Sequence, residues 1–299
     1  MYWPFRSLLE SFAMLRPKDY SRWKTRVHYD SIDEFLNPTQ PVVHTVSHRG
    51  VDIDFLVHDR GADTTLVVFH ASLSIRAKTL PQLQGAGLAR DTGCNLIAVS
   101  DPTLTEKDLE LGWYLGNKET GPLPPVLAPL ILAAIKRLNS SRTILIGPSG
   151  GGYAAILYGQ YFPDSIVLAI NPRLDLGAKP SAGWKQYVDE AHQAHTNPSR
   201  VRVRKNYAVE RLRELFADIG LPFDLCLYQN SQDRSYVQNQ TQPFLKRLGN
   251  DERLFVRMED DGSGHRPIPS AKLREIIKSL STDSDQQTAI RLAGFNHPN

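Results

Sequence analysis

The stretch Thr143-Ile-Leu-Ile-Gly-Pro-Ser-Gly-Gly-Gly-Tyr153 limits what this chain can fold into more than any other. Ile144 to Ile146 is a short apolar β-branched run of the kind that forms a buried strand. Ala154-Ala-Ile-Leu-Tyr158 opens a helix-forming segment. Between them sits Gly147-Pro148-Ser149-Gly150-Gly151, a G-x-S-x-G pattern. Placed between a strand and a helix, that pattern makes a sharp turn that lifts a serine hydroxyl clear of the sheet. Side chains at the flanking glycine positions would strike the neighbouring strand and helix, and glycine accepts backbone angles that other residues resist.

Two rival readings share these glycines. Gly147 to Gly152 has the spacing of a phosphate-binding loop, but Tyr153 stands where that loop needs its lysine. Gly150-x-Gly152-x-x-Ala155 fits a relaxed dinucleotide fingerprint. That fingerprint follows the first strand of its domain, whereas several strand-like runs come earlier here, and the next strand ends on Asn171-Pro172 rather than an acid. About one chain in ten of this length carries the serine pattern by chance, so its partners decide the matter.

The rest of the chain alternates strand and helix. Val42 to Val46 and Val51 to Val57 read as a hairpin turning at Arg49-Gly50. Thr64 to Phe69 is a continuous apolar run, the mark of a strand covered on both faces. A helix over Pro81 to Arg90, a strand over Asn95 to Ser100 and a helix over Pro122 to Leu138 lead to the serine strand. After it come strands at Ser165–Ile170, Phe223–Tyr228 and Leu254–Met258, separated by helices at Glu210–Ile219 and Gln240–Leu248 and closed by one at Ala271–Leu280. This order predicts an α/β domain whose mostly parallel central sheet carries helices on both faces. Residues 1–40 read as an N-terminal arm, 41–280 as the domain, 173–208 as a small helical, cap-like insertion, and 281–299 as a flexible tail.

Composition closes several doors. A net charge of +3 gives nucleic-acid binding no support. Cys94 and Cys226 lie in apolar runs and read as reduced core thiols; no Cys-x-x-Cys pattern occurs. His192 and His195 lack further ligand spacing, so neither a metal nor a cofactor is expected. No run reaches the ~18 apolar residues of a spanning helix, and the N-terminus lacks a signal peptide's apolar region, so a cytoplasmic protein is expected. Aromatic and basic residues mix over 1–24, where a surface helix touching a membrane or partner is one reading and an arm packed on the domain the other. The cluster Arg200, Arg202, Arg204 and Lys205 is either a solvated face or a surface for an anionic substrate. Oligomeric state is not legible.

A serine hydroxyl is a weak nucleophile near neutral pH and needs a base, which needs an acid to hold its tautomer. Of nine histidines only His192, His195, His265 and His297 follow Ser149. His265, in the loop after the last strand, is where the base belongs. Asp233 follows the preceding strand and is the expected acid, with Asp260 and Asp261 as rivals. Gly150, at a helix N-terminus, is one expected oxyanion donor; Ala71 or Ser72, after the Thr64–Phe69 strand, is the other. Trp113 and Tyr114, in the loop over the sheet's carboxyl edge, and Trp184 in the insertion are candidate substrate-binding residues.

With Gly147-Pro-Ser-Gly-Gly151, Asp233 and Gly264-His265 each after its strand, and Leu66-Val-Val-Phe69 before the oxyanion loop, residues 42–280 resemble the α/β-hydrolase superfamily. Ser149-Gly-Gly-Gly-Tyr-Ala-Ala155 and Ser100-Asp-Pro102 are similar to bacterial members linked to cell-surface polysaccharide. His70-Ala-Ser72 departs from the glycine-rich oxyanion loop of many lipases. The resemblance implies a serine hydrolase that cleaves a small-molecule or glycan ester through an acyl-enzyme. One alternative is an O-acyltransferase that passes acetyl from a donor such as acetyl-CoA to a glycan hydroxyl. The other is a non-catalytic partner in envelope assembly.

Overall fold

The computed structural model describes residues 16–35, 42–74, 77–105, 109–207 and 209–298. Among the described residues the strands of the central sheet are β1 (Arg26–Tyr29), β2 (Val43–His48), β3 (Val51–His58), β4 (Thr64–Phe69), β5 (Asn95–Val99), β6 (Arg142–Pro148), β7 (Ile166–Ile170), β8 (Asp224–Asn230) and β9 (Leu254–Glu259). They form one nine-stranded sheet in the order β1-β2-β3-β5-β4-β6-β7-β8-β9. Only β3 runs against its neighbours. Its reversal follows from the tight turn at Arg49 (φ 51°) and Gly50 (φ 78°), both in the left-handed region that a two-residue hairpin requires.

Every residue of β4, β5, β7 and β8 is buried. Side chains alternate between the sheet's faces: in β4, Val67 and Phe69 belong to one apolar cluster and Leu66 and Val68 to the other. Helices cover both clusters. On the Val67 side lie α2 (Pro124–Leu138), through Leu127, Leu130, Ile131 and Ala134, and α3 (Gly150–Gly159), all of whose residues are buried. On the Leu66 side lie α1 (Ala86–Thr92), through Ala89, and α7 (Ser270–Leu280), through Ile276, Ile277 and Leu280. Between β7 and β8 the chain leaves the sheet to form α4 (Ala182–Glu190) and α5 (Asn197–Tyr207). After β8, α6 spans Gln242–Leu248, shorter than expected at its start because Val237–Thr241 is wound more widely as a π-turn.

Both ends depart from expectation. Arg26–Tyr29, inside the expected arm, pairs in parallel with Val43–Val46 as the edge strand of the sheet. The Arg16 guanidinium is buried and donates to the carbonyls of Leu104 and Leu109. The expected surface helix falls largely on residues 1–15, outside the described residues; residues 16–24 contain no helix. At the other end the flexible tail is corrected. Asp285 accepts from the Thr288 N–H and starts α8 (Gln286–Leu292), and Ile290 and Phe295 are fully buried. The segment's polar residues face water, while a few apolar ones dock beside β9, where Asn296 bridges Val256. Among the described residues no helix is long and apolar enough to cross a membrane.

Candidate active site

Ser149 sits between β6 and α3 at φ 51° and ψ −111°, a conformation that side chains resist. Close packing imposes it. A Cβ on Gly147 would lie 2.1 Å from the Gly151 carbonyl, and one on Gly151 would lie 2.3 Å from Phe69 O. The Ser149 N–H donates to Ile170 O and its carbonyl accepts from Gly152 and Arg173, so neighbouring backbone holds the strained turn.

The hydroxyl of Ser149 is 3.0 Å from His265 Nε2, and His265 Nδ1 is 2.6 Å from Asp233 Oδ2. The sequence placed these three residues on separate loops, and the fold joins them in one hydrogen-bonded line. Asp233 is 3 % exposed and its other oxygen accepts the Tyr236 N–H, which fixes the carboxylate against the start of a helical turn. The rival acids are engaged elsewhere. Asp261 accepts from Tyr228 Oη at 2.6 Å and pairs with Lys272, and Asp260 accepts the Gly262 N–H.

Three residues in this constellation carry no signal in the sequence. Tyr236 stacks on the His265 ring with centroids 4.0 Å apart, which holds the imidazole's plane. Asn230, the last residue of β8, donates to the carbonyls of Gly262 and Gly264 and accepts from the Gln232 and Asp261 N–H groups. Asn171, after β7, donates to Arg266 O and accepts the Asn230 N–H. Together the two asparagines tie the His265 loop to the ends of two neighbouring strands. Apart from the Gln232 N–H, the partners named here lie tens of positions away, so nothing local marks these residues for this role.

On the opposite side of Ser149, the loop after β4 lies against the start of α3, as the Gly151 contacts with Phe69 O and His70 O require. Gly150 follows Ser149 directly, and among the described residues neither its N–H nor that of Ala71 has a protein acceptor. His70 shapes this loop. Its Nδ1 donates to Ala71 O at 2.7 Å, its Nε2 accepts the Asp101 N–H at 3.3 Å, and its own N–H donates to Tyr114 Oη. Holding Ala71 O one way turns the N–H of Ser72, on the same planar peptide, the other way. Burial pushes the His70 imidazole below its ordinary pKa, so it stays neutral.

The expected substrate-binding aromatics need correction. Trp113, Tyr114 and Trp184 are 2 %, 1 % and 3 % exposed. Tyr114 Oη donates to Val99 O, and its N–H donates to the buried carboxylate of Asp101. Trp113 packs edge-on against Trp184 and Tyr187, which α4 lays over it. These rings anchor the insertion to the domain, and Trp113 and Tyr114 offer no face for a sugar. His192 joins the same cluster, ring to ring with Tyr187 and Tyr207, while His195 is exposed.

No protein-family model matches the chain, and no curated protein matches its sequence. Solved structures do match it. The capsule O-acetyltransferase of Neisseria meningitidis serogroup A aligns with a TM-score of 0.53 at 17 % identity, over 77 % of this chain and 94 % of that one. A mutant of that enzyme in complex with CoA aligns equally, at 15 % identity over 83 % and 99 %. An esterase of Pyrococcus furiosus aligns with a TM-score of 0.51 at 14 % identity, over 90 % of this chain and 99 % of that one. An S-formylglutathione hydrolase of Agrobacterium tumefaciens aligns at 0.50 and 14 %, over 84 % and 94 %. Identities this low speak to architecture alone. With its single reversed strand, its two helical layers and a serine turn between β6 and α3, the chain has the α/β-hydrolase fold.

Proposed function

We propose that this protein is a serine hydrolase that cleaves esters through an acyl-enzyme on Ser149. The observation that carries the reading is the line from the Asp233 carboxylate through the His265 imidazole to the Ser149 hydroxyl, at 2.6 and 3.0 Å. Asp233 holds the proton on Nδ1, which leaves Nε2 free to take the serine proton as Oγ attacks the carbonyl. The carbonyl oxygen gains the negative charge and is met by the N–H of Gly150 and by that of Ala71 or Ser72, with the α3 N-terminus favouring an anion there. The tetrahedral adduct collapses, the C–O bond to the alcohol breaks, and His265 returns its proton to the leaving oxygen. Water then repeats the sequence and releases the acid.

Replacing the water by a sugar hydroxyl gives the second reading, O-acyl transfer. Its support is the alignment with the capsule O-acetyltransferase, a mutant of which binds CoA. Complete hydrogen bonding along the line argues against a non-catalytic partner. The test is labelling with a fluorophosphonate probe together with hydrolysis of p-nitrophenyl acetate. Ser149→Ala loses both while its melting temperature holds; labelling that survives the substitution moves the nucleophile elsewhere. Release of CoA from acetyl-CoA only when a glycan is present, without free acetate, selects transfer over hydrolysis.

A further inference from the structure

The insertion forms a partly enclosed cavity of about 720 Å³ whose wall includes none of Ser149, Asp233 and His265. Lys185, Arg200, Arg204 and Arg211 line it against only two carboxylates, Asp175 and Glu210. Ion pairing leaves this charge incompletely matched. Asp175 is shared between Arg211 at 3.4 Å and Arg213 at 3.0 Å, and Arg204 stands 3.8 Å from Glu210. Arg200 is held by Asp189 at 2.8 Å. Among the described residues Lys185 has no carboxylate at ion-pair distance. Cations gathered around a partly enclosed volume repel one another more strongly than they would in open water, and an anion relieves them. Trp184 also lines the cavity; its indole N–H is buried and has no hydrogen-bond partner among the described residues. A buried donor without an acceptor is costly.

The cavity is held close to the serine. The Arg173 N–H donates to Ser149 O at 3.0 Å. The buried Arg173 guanidinium donates to the carbonyls of Asp175, Leu176 and Ala178. Gln240 Oε1 accepts the N–H groups of Leu174 and Asp175 at 2.8 Å each. Two residues of chain reach about 7 Å, so the Asp175 wall lies within roughly 12 Å of the Ser149 carbonyl.

We infer that this cavity is a phosphate-binding subsite of the Ser149 site, which makes the substrate a phosphate-bearing ester or thioester. Guanidinium forks match phosphate oxygens two at a time, and a lysine adds a mobile point charge. The inference rests on the proposed function for its link to catalysis, but the seat itself is tested separately. The experiment titrates the full-length chain calorimetrically with inorganic pyrophosphate at low salt, with glucuronate as the carboxylate control. Pyrophosphate binds more tightly than glucuronate. Lys185→Met and Arg204→Met each weaken it by about threefold to tenfold, and added salt weakens it further. Ser149→Ala binds it as the wild type does. Both substituted side chains are exposed, so the variants fold, which a melting curve checks. Absence of pyrophosphate binding, equal or tighter binding of glucuronate, or indifference to both substitutions overturns the subsite. If p-nitrophenyl acetate is still turned over, the Ser149 reading survives that result. Binding without any ester turnover does the reverse.

Discussion

Two histidines stand on either side of Ser149, and their surroundings give them opposite capacities. Both donate through Nδ1: His265 to the Asp233 carboxylate, His70 to the Ala71 carbonyl. The difference lies at Nε2. In His265 it faces a serine hydroxyl that can surrender a proton, and the side chain is 37 % exposed. In His70 it accepts the N–H of Asp101, and the residue is 2 % exposed. A peptide N–H does not ionise, so His70 Nε2 is occupied for good. A carboxylate at Nδ1 stabilises an imidazolium, whereas a carbonyl does so weakly. One imidazole is therefore equipped to move a proton, and the other to hold a loop still.

Asp233→Asn cuts deepest into this comparison. The amide oxygen can still accept the Tyr236 N–H, so the local helical start is kept. What goes is the charge opposite Nδ1, together with control of the tautomer. The expected loss is about 10⁴-fold in kcat for p-nitrophenyl acetate, with little change in melting temperature. A loss below tenfold would make His265 resemble His70, a histidine that its carboxylate does not activate.

The order serine, acid, histidine is legible in the sequence for a physical reason. Each residue follows a strand whose apolar run is unmistakable, and parallel strands deliver their trailing loops to one edge. The glycines of the elbow are legible on steric grounds, since backbone lies within 2.3 Å of where a Cβ would be on Gly147 or Gly151. The aromatic residues are not. Trp113 and Tyr114 occupy a loop at the active edge, and whether such a loop lines a pocket or closes one depends on what lies above it. Here α4 lays Trp184 and Tyr187 over it. Exposure is decided by a segment some seventy residues later, which local composition does not register. Asn171, Asn230 and Tyr236 hold the His265 loop through partners brought by the fold, and α8 is hidden among polar residues whose few apolar members do the docking.

His70→Phe probes the other half of the comparison at smaller amplitude. An aromatic ring is kept, but Ala71 O and the Asp101 N–H lose their buried partners, at a cost of about 1–3 kcal/mol of stability. If the loop supplies an oxyanion donor, kcat falls by about 10–100-fold at nearly constant KM, and affinity for a boronate analogue of the tetrahedral adduct falls in parallel. A loss of stability with kcat unchanged would reduce His70 to packing and remove the loop from the proposed chemistry.

His192 extends the comparison to an imidazole that does neither task, and it carries the smallest effect. Its Nε2 meets Tyr187 Oη at 3.0 Å, and that hydroxyl donates onward to Gly116 O, so the ring nitrogen is the donor. Burial among Tyr187 and Tyr207 pushes its pKa down to about 4. The unfolded chain takes up this proton near pH 6.5, the folded chain only near 4. Between those values unfolding is accompanied by proton uptake, so acidification lowers stability across that window. A fully shielded ring would lose about 3 kcal/mol; water at this partly open one reduces the loss to about 1–2 kcal/mol. His192→Phe keeps the aromatic packing and removes the titration. Urea midpoints at pH 7 and pH 4.5 should therefore differ less in the variant than in the wild type. Equal differences would mean that the His192 ring opens to water before it protonates, and that the aromatic cluster joining the insertion to the domain is looser than His70's surroundings.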